Sequence, residues 1–165
     1  MRAKDDLIAG VLCGNSRQVV SALRKGAHAN TRYQRRTILL WAIQESHLNV
    51  AKALIRAGAS LEVKDSGGFT PLDQAVGQNN LKAVEFLLKA GANVNGHCSN
   101  GSPLHTACAY RRLRIVKVLL AHGANPRARE KDGHIPTHFS KLNGNRTDKA
   151  IYKLLETAIS SRDKN

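Results

Sequence analysis

Thr70-Pro71-Leu72-Asp73-Gln74-Ala75 returns 32 residues later as Ser102-Pro103-Leu104-His105-Thr106-Ala107, and each copy leads on to a Gly-Ala-Asn, at Gly91 and at Gly123. A hydroxyl residue before a proline marks a helix start. Its side chain can accept from the first free amides. The proline's missing N–H costs nothing in the first turn, and its fixed φ favours entry into the helix. Pro136 repeats that placement further on.

Working outward, Gly-Ala pairs occur at 26, 58, 91 and 123, at intervals of 32, 33 and 32 residues, and a leucine precedes each glycine by 19 residues, at Leu7, Leu39, Leu72 and Leu104. A period near 33 indicates a solenoid. Within each unit a polar, Gly-rich lead-in is followed by two apolar runs separated by a polar break. The second runs, such as Ala83-Val84-Glu85-Phe86-Leu87-Leu88 and Ile115-Val116-Lys117-Val118-Leu119-Leu120, place apolar residues at i, i+1, i+4 and i+5, one stripe of a helix. The glycine after each run closes that helix in the left-handed region.

Through the two Pro-Leu motifs and their Gly-Ala-Asn the chain resembles the ankyrin repeat family. Thr37-Ile38-Leu39-Leu40 and Ile135-Pro136-Thr137-His138 hold the same register with departures, and Asp6-Leu7-Ile8 opens a more degenerate copy. The resemblance implies an all-α ankyrin-repeat solenoid of stacked helix-turn-helix units with projecting β-hairpin finger loops. Five units are expected, over about 1–30, 31–63, 64–95, 96–128 and 129–165, as a single domain with atypical outer units. His105 matches the family's histidine, a local hydrogen-bonding residue that ties neighbouring turns; Asp73 replaces it one unit earlier.

The last unit departs from the pattern. A two-residue insertion is expected between its helices, around Asn143-Gly144-Asn145-Arg146. Thr157-Ala158 stands where Gly-Ala would end the second helix, so the helix can run on into Ile159, with a frayed tail over Ser160 to Asn165.

Composition fits a stack whose units cannot bury a core alone: 42% of the 165 residues are hydrophobic and only 4% aromatic, so small aliphatics must do the packing. Trp41 is expected in the core between units. Cys13 and Cys108 are expected to pack as small hydrophobes and Cys98 to lie on an exposed turn. The three form no CxxC pair or disulfide framework. No run approaches the roughly 18 apolar residues of a membrane helix, and residues 1–30 lack the pattern of a signal peptide. A cytoplasmic location is the expectation for the chain as written, or an exported one if Met1 replaces a removed signal peptide.

Enzymatic chemistry is not expected. The seven histidines are distributed along the chain, and no GxSxG, P-loop or GxGxxG occurs. No catalytic residue, cofactor or metal is assigned. The one metal arrangement worth naming would bring His97, Cys98 and His134 together on adjacent fingers.

The chain carries 26 Lys and Arg against 12 Asp and Glu, a net charge of +14, and the excess clusters at Arg32, Arg35 and Arg36, at Arg111, Arg112 and Arg114, and at Arg127, Arg129 and Lys131. Something acidic is the expected partner. In the family, the fingers and the exposed edge of the first helices form the concave surface that binds proteins. By the resemblance, the finger positions are Arg32, Tyr33, Gln34 and Arg36; Lys64, Ser66 and Phe69; His97, Cys98 and Ser99; and Arg129, Lys131 and His134. The helix edge carries Gln44, Glu45, Gln78, Tyr110 and Arg111. Aromatics and arginines dominate binding energy at many interfaces, which singles out Tyr33, Phe69 and Tyr110.

Two functions follow. The first is a protein-interaction module that binds an acidic protein partner through this basic, aromatic-containing face, as a stand-alone inhibitor or immunity-type protein of an enzyme. The second is a binder of polyanions, nucleic acid or anionic lipid, through Lys and Arg. The chain is expected to be a monomer by itself.

Overall fold

The computed structural model describes residues 2–98, 101–141 and 146–162. Ten helices form among them, in five successive pairs. They are α1 (Ala3–Leu12) with α2 (Ser16–Arg24), α3 (Ile38–Gln44) with α4 (Leu48–Arg56), α5 (Pro71–Gly77) with α6 (Leu81–Lys89), α7 (Pro103–Ala109) with α8 (Leu113–Ala121), and α9 (Pro136–Lys141) with α10 (Arg146–Arg162). The first helices make one row, α1 on α3, α3 on α5, α5 on α7 and α7 on α9; the second helices lie behind them, α2 on α4 and α6 on α8 on α10.

The helix starts follow the local chemistry. Thr70 and Asp73 form a reciprocal cap at α5. The Asp73 carboxylate accepts from the Thr70 N–H at 3.0 Å and the Thr70 hydroxyl at 2.8 Å, and Thr70 Oγ1 accepts the Asp73 N–H at 3.3 Å. Burial pushes the Asp73 carboxyl up while the bonds from Thr70 pull it down. At α7 the imidazole replaces the carboxylate, with His105 Nδ1 accepting the Ser102 N–H at 3.1 Å. Asn15 and Asn80 cap α2 and α6.

The four spaced leucines are all buried, Leu7, Leu39, Leu72 and Leu104 within 1% of complete removal from solvent, and they stack with Val50, Val84 and Val116 of the second row. Each such leucine contributes about 1.5–3 kcal/mol through burial. Gly14, Ser46, Asn79 and Arg111 occupy one register in the turns between paired helices, all with positive φ, from 55° to 69°. A left-handed residue is therefore built into each of those turns, and only the first copy spells it with glycine.

A second periodic device joins the loops that follow the second row. Asn30 Oδ1 accepts the Ser60 N–H at 2.8 Å, Glu62 Oε1 the Asn93 N–H at 2.9 Å and Asn95 Oδ1 the Asn125 N–H at 2.7 Å. Both asparagines also donate, Asn30 to the Gly58 carbonyl and Asn95 to that of Gly123, each at 3.3 Å.

Several expectations are corrected. Cys13 is exposed at the end of α1, because it falls beyond the buried stripe of Leu7, Gly10 and Val11; Cys108 is buried as expected. Trp41 is half-buried at the margin of the core, its indole N–H donating to the Tyr33 carbonyl at 3.1 Å. α10 runs through Ile159 as expected but continues to Arg162, so Ser160–Arg162 are helical where a frayed tail was expected. The expected insertion at residues 143–145 lies outside the described residues.

Candidate functional site

Thr31 to Thr37 fold into a true hairpin finger. β1 (Arg32–Tyr33) pairs antiparallel with β2 (Arg36–Thr37), in the register Arg32 opposite Thr37 and Tyr33 opposite Arg36. The turn residues Gln34 and Arg35 both have positive φ, 47° and 64°, the two-residue turn that matches strand twist. Beneath it the Tyr33 and Trp41 rings meet at 6.0 Å, and the Arg36 guanidinium lies 6.0 Å from the Trp41 ring centre. Arg36 also bonds the Gln44 side-chain oxygen and pairs with Asp65 at 3.7 Å.

The later fingers are built differently, which corrects the expectation of a strand pair in each. Asp65 Oδ1 accepts the N–H groups of Gly67 and Phe69, at 2.9 and 3.0 Å, closing a side-chain turn. Cys98 and Gly101 form an isolated bridge. In the last finger Glu130 does what Asp65 does. Oε2 accepts the Asp132 N–H at 2.9 Å, and Oε1 accepts the His134 N–H at 3.1 Å and bonds Nδ1 at 2.9 Å. These bonds, led by that from Asp132, pull the Glu130 carboxyl down. In both loops an acid side chain satisfies turn amides beside a backbone bond across the loop, from the Asp65 N–H to the Phe69 carbonyl at 3.0 Å and from the Glu130 N–H to the His134 carbonyl at 3.1 Å.

That arrangement also redraws the metal question. Among the described residues the convergent group is Glu130, Asp132 and His134, with ligand atoms within 4.8 Å of one another, rather than His97, Cys98 and His134. Both Glu130 oxygens already hold their own loop, and the His134 ring stacks on that of His138 at 4.0 Å. The group is accounted for as finger structure.

Tyr110 is the centre of the first-row face. It is 56% exposed and forms a wall of two recesses. One, of about 260 Å³, is also lined by Phe69, Gln74, Gln78 and Thr106; the other, of about 240 Å³, by His105, Lys131 and Phe139. Phe69, Gln78, Tyr110 and Lys131 are thereby brought onto one surface. Gln78 Nε2 donates to the Gln44 carbonyl at 2.9 Å, tying the edges of α3 and α5. Gln34, Glu45, Ser66 and His97 are exposed but line neither recess. Arg32 lines a different recess, with Lys4 and His28. Ser99 lies outside the described residues.

Several of the expected cations are engaged with the chain itself. Arg111 Nε donates to the Asp148 carboxylate at 3.0 Å, Arg129 to the Gly133 carbonyl at 2.8 Å and Lys64 to the His97 carbonyl at 2.8 Å. Arg111 itself has a positive φ of 55°, in the turn between α7 and α8. The sequence alone does not give these pairings, because they join residues 33 and 37 positions apart or close a local turn.

The family described as ankyrin repeats, in its three-copy form, matches residues 7–98, and a second form described as ankyrin repeats (many copies) matches residues 89–139. The chain belongs to the ankyrin repeat family. An ankyrin repeat protein of Borreliella burgdorferi is 28% identical over 156 residues, 93% of this chain and 67% of the relative. An E3 ubiquitin-protein ligase of Arabidopsis thaliana is 37% identical over 99 residues, 58% of this chain and 26% of the ligase. BRCA1-associated RING domain protein 1 of Caenorhabditis elegans is 29% identical over 143 residues, 86% of this chain and 19% of that protein. The chain thus spans about a quarter or less of the last two. Ankyrin repeats are protein-interaction modules. Among the described residues no helix is long and apolar enough to cross a membrane.

Proposed function

We propose that this ankyrin-repeat chain is a non-enzymatic binder whose concave face, centred on Tyr110, holds an acidic protein partner. The observation that carries the reading is the exposed Tyr110 ring between two recesses that take in Phe69 and Gln78 on one side and Lys131 on the other. A large rigid aromatic flanked by hollows offers the partner an anchor and two sockets. The mode of action is occupancy: an enzyme whose acidic surface is covered is inhibited without any chemistry by the chain.

The test is affinity capture from native lysate after nuclease treatment, comparing wild type with Phe69→Ala/Tyr110→Ala. Loss of one acidic protein with the variant supports the reading and names a target for an inhibition assay. The net charge of +14 favours one other reading, capture of nucleic acid or anionic lipid. Retention only of nuclease-sensitive material or lipid, equal for both chains and falling steeply with salt, would select it.

A further inference from the structure

The opposite side of the molecule carries a second feature, in the second row of helices. α2 and α4 lie side by side and leave a groove of about 630 Å³ lined by Ser16, Val20, Leu23, Arg24, Asn49, Lys52, Ala53, Arg56 and Ala57. Its floor is apolar: Val20, Leu23 and Ala53 are half-buried. Its charge is one-sided, since α2 and α4 hold Arg17, Arg24, Lys52 and Arg56 with no Asp or Glu in either helix. α6 and α8 continue the pattern with four more cations against Glu85 alone.

The groove is polarised along its length. Ser16 and Asn49 line one end, in the first turns of α2 and α4, where Arg17 is exposed but does not line the groove. Arg24 and Arg56 mark the other, in the last turns. All three rim cations are exposed, and none enters an ion pair among the described residues; Lys52 leans over the Phe86 ring at 5.9 Å. This contrasts with the concave side, where Arg36 and Arg111 are held by Asp65 and Asp148.

We infer that this groove docks an acidic amphipathic helix of a partner protein. Two nine-residue helices give a trough of about 13 Å, room for two to three turns of a guest helix. The guest's apolar stripe covers Val20, Leu23 and Ala53, and carboxylates clustered at one end meet Arg24, Lys52 and Arg56. This is helix-in-groove recognition with charge complementarity setting the direction of the guest. A phosphate chain would leave the apolar floor unmatched. A membrane would require large exposed apolar side chains, and those found, Leu12 and Tyr110, lie outside the groove. The docking site is independent of the Tyr110 face.

The full chain is titrated against a fluorescent helical peptide with leucines on one stripe and glutamates at one end, against a scrambled peptide of the same composition, and against oligothymidine. The designed peptide is expected to bind about tenfold or more tightly than either control, more weakly as salt rises. Arg24→Glu/Arg56→Glu, and separately Lys52→Glu, are expected to cost about tenfold, with Phe69→Ala/Tyr110→Ala unchanged. Amide shifts in the wild type are expected within residues 16–24 and 49–57, a readout free of any folding defect in a variant. Equal binding of the scrambled peptide or the oligonucleotide, no detectable binding, shifts elsewhere, or indifference to both charge reversals would overturn the assignment.

Discussion

His105 and His134 are joined across neighbouring units: the His105 Nε2 lies 3.1 Å from the His134 carbonyl oxygen, while its Nδ1 accepts the Ser102 N–H at 3.1 Å. One nitrogen accepting and the other donating requires a neutral ring with its proton on Nε2. Burial holds the His105 pKa below its ordinary 6.5. The unfolded chain therefore takes up the proton first as pH falls. The stability this ring provides is complete above about 6.5 and is lost as pH drops towards the lowered folded value. The melting temperature of the wild type should fall between about pH 7 and pH 5, and that of His105→Gln should fall less. Equal slopes would assign the acid sensitivity to other groups.

Arg111 was expected on the partner-binding edge, yet its guanidinium lies 3.0 Å from Asp148, whose side chain is 1% exposed. Removing the arginine takes a guanidinium away from a buried carboxylate. Because Arg111 is itself 40% exposed, solvent softens the loss. Arg111→Ala is expected to destabilise the fold by about 1–3 kcal/mol in urea unfolding. A double-mutant cycle with Asp148→Ala should return a positive coupling; additivity would show the contact to be incidental.

Gly101 has φ +91°, and a Cβ there would lie 2.7 Å from Glu130 Cβ and 3.1 Å from the His105 ring. Both backbone strain and the clash act against any side chain. Gly101→Ala should cost about 1–3 kcal/mol. A thermal melt within a degree of wild type would contradict this account of the finger contact.

The cysteines should report the fold by their reactivity. Cys13 is exposed, whereas Cys108 is fully buried and its thiol is pushed up to about 12 by burial. Thiolate is the reactive form, so Cys13 should label rapidly with a disulfide reagent in native buffer and Cys108 only after unfolding. Mass spectrometry of the labelled peptides distinguishes them. Rapid native labelling of Cys108 would mean that the α7 environment opens.

Much of the fold was legible because its period is written in residues with one physical use. Leu39, Leu72 and Leu104 are buried at the predicted places, and Pro71, Pro103 and Pro136 begin helices. The fingers were less legible. Asp65 and Glu130 close their loops through side-chain acceptors, which a strand pattern does not reveal. The exposed Tyr110 was found from its register, but the pairing of Arg36 and Arg111 with acids of other units was not. A charge count records excess and is silent about geometry. The cations left without acids on α2 and α4 were scattered in the sequence and meet only when the second helices stack.

The amide ladder of Asn30, Glu62 and Asn95 has a mechanical side. Each asparagine grips the following loop with an acceptor and a donor, whereas the carboxylate of Glu62 can only accept. The joint at Glu62 gains its second bond from Lys64, whose Nζ donates to the His97 carbonyl at 2.8 Å across the same pair of loops. Each joint of the loop edge is thus fastened twice, by a single asparagine at Asn30 and Asn95 and by two side chains, Glu62 and Lys64, between the finger of Tyr33 and the recesses around Tyr110.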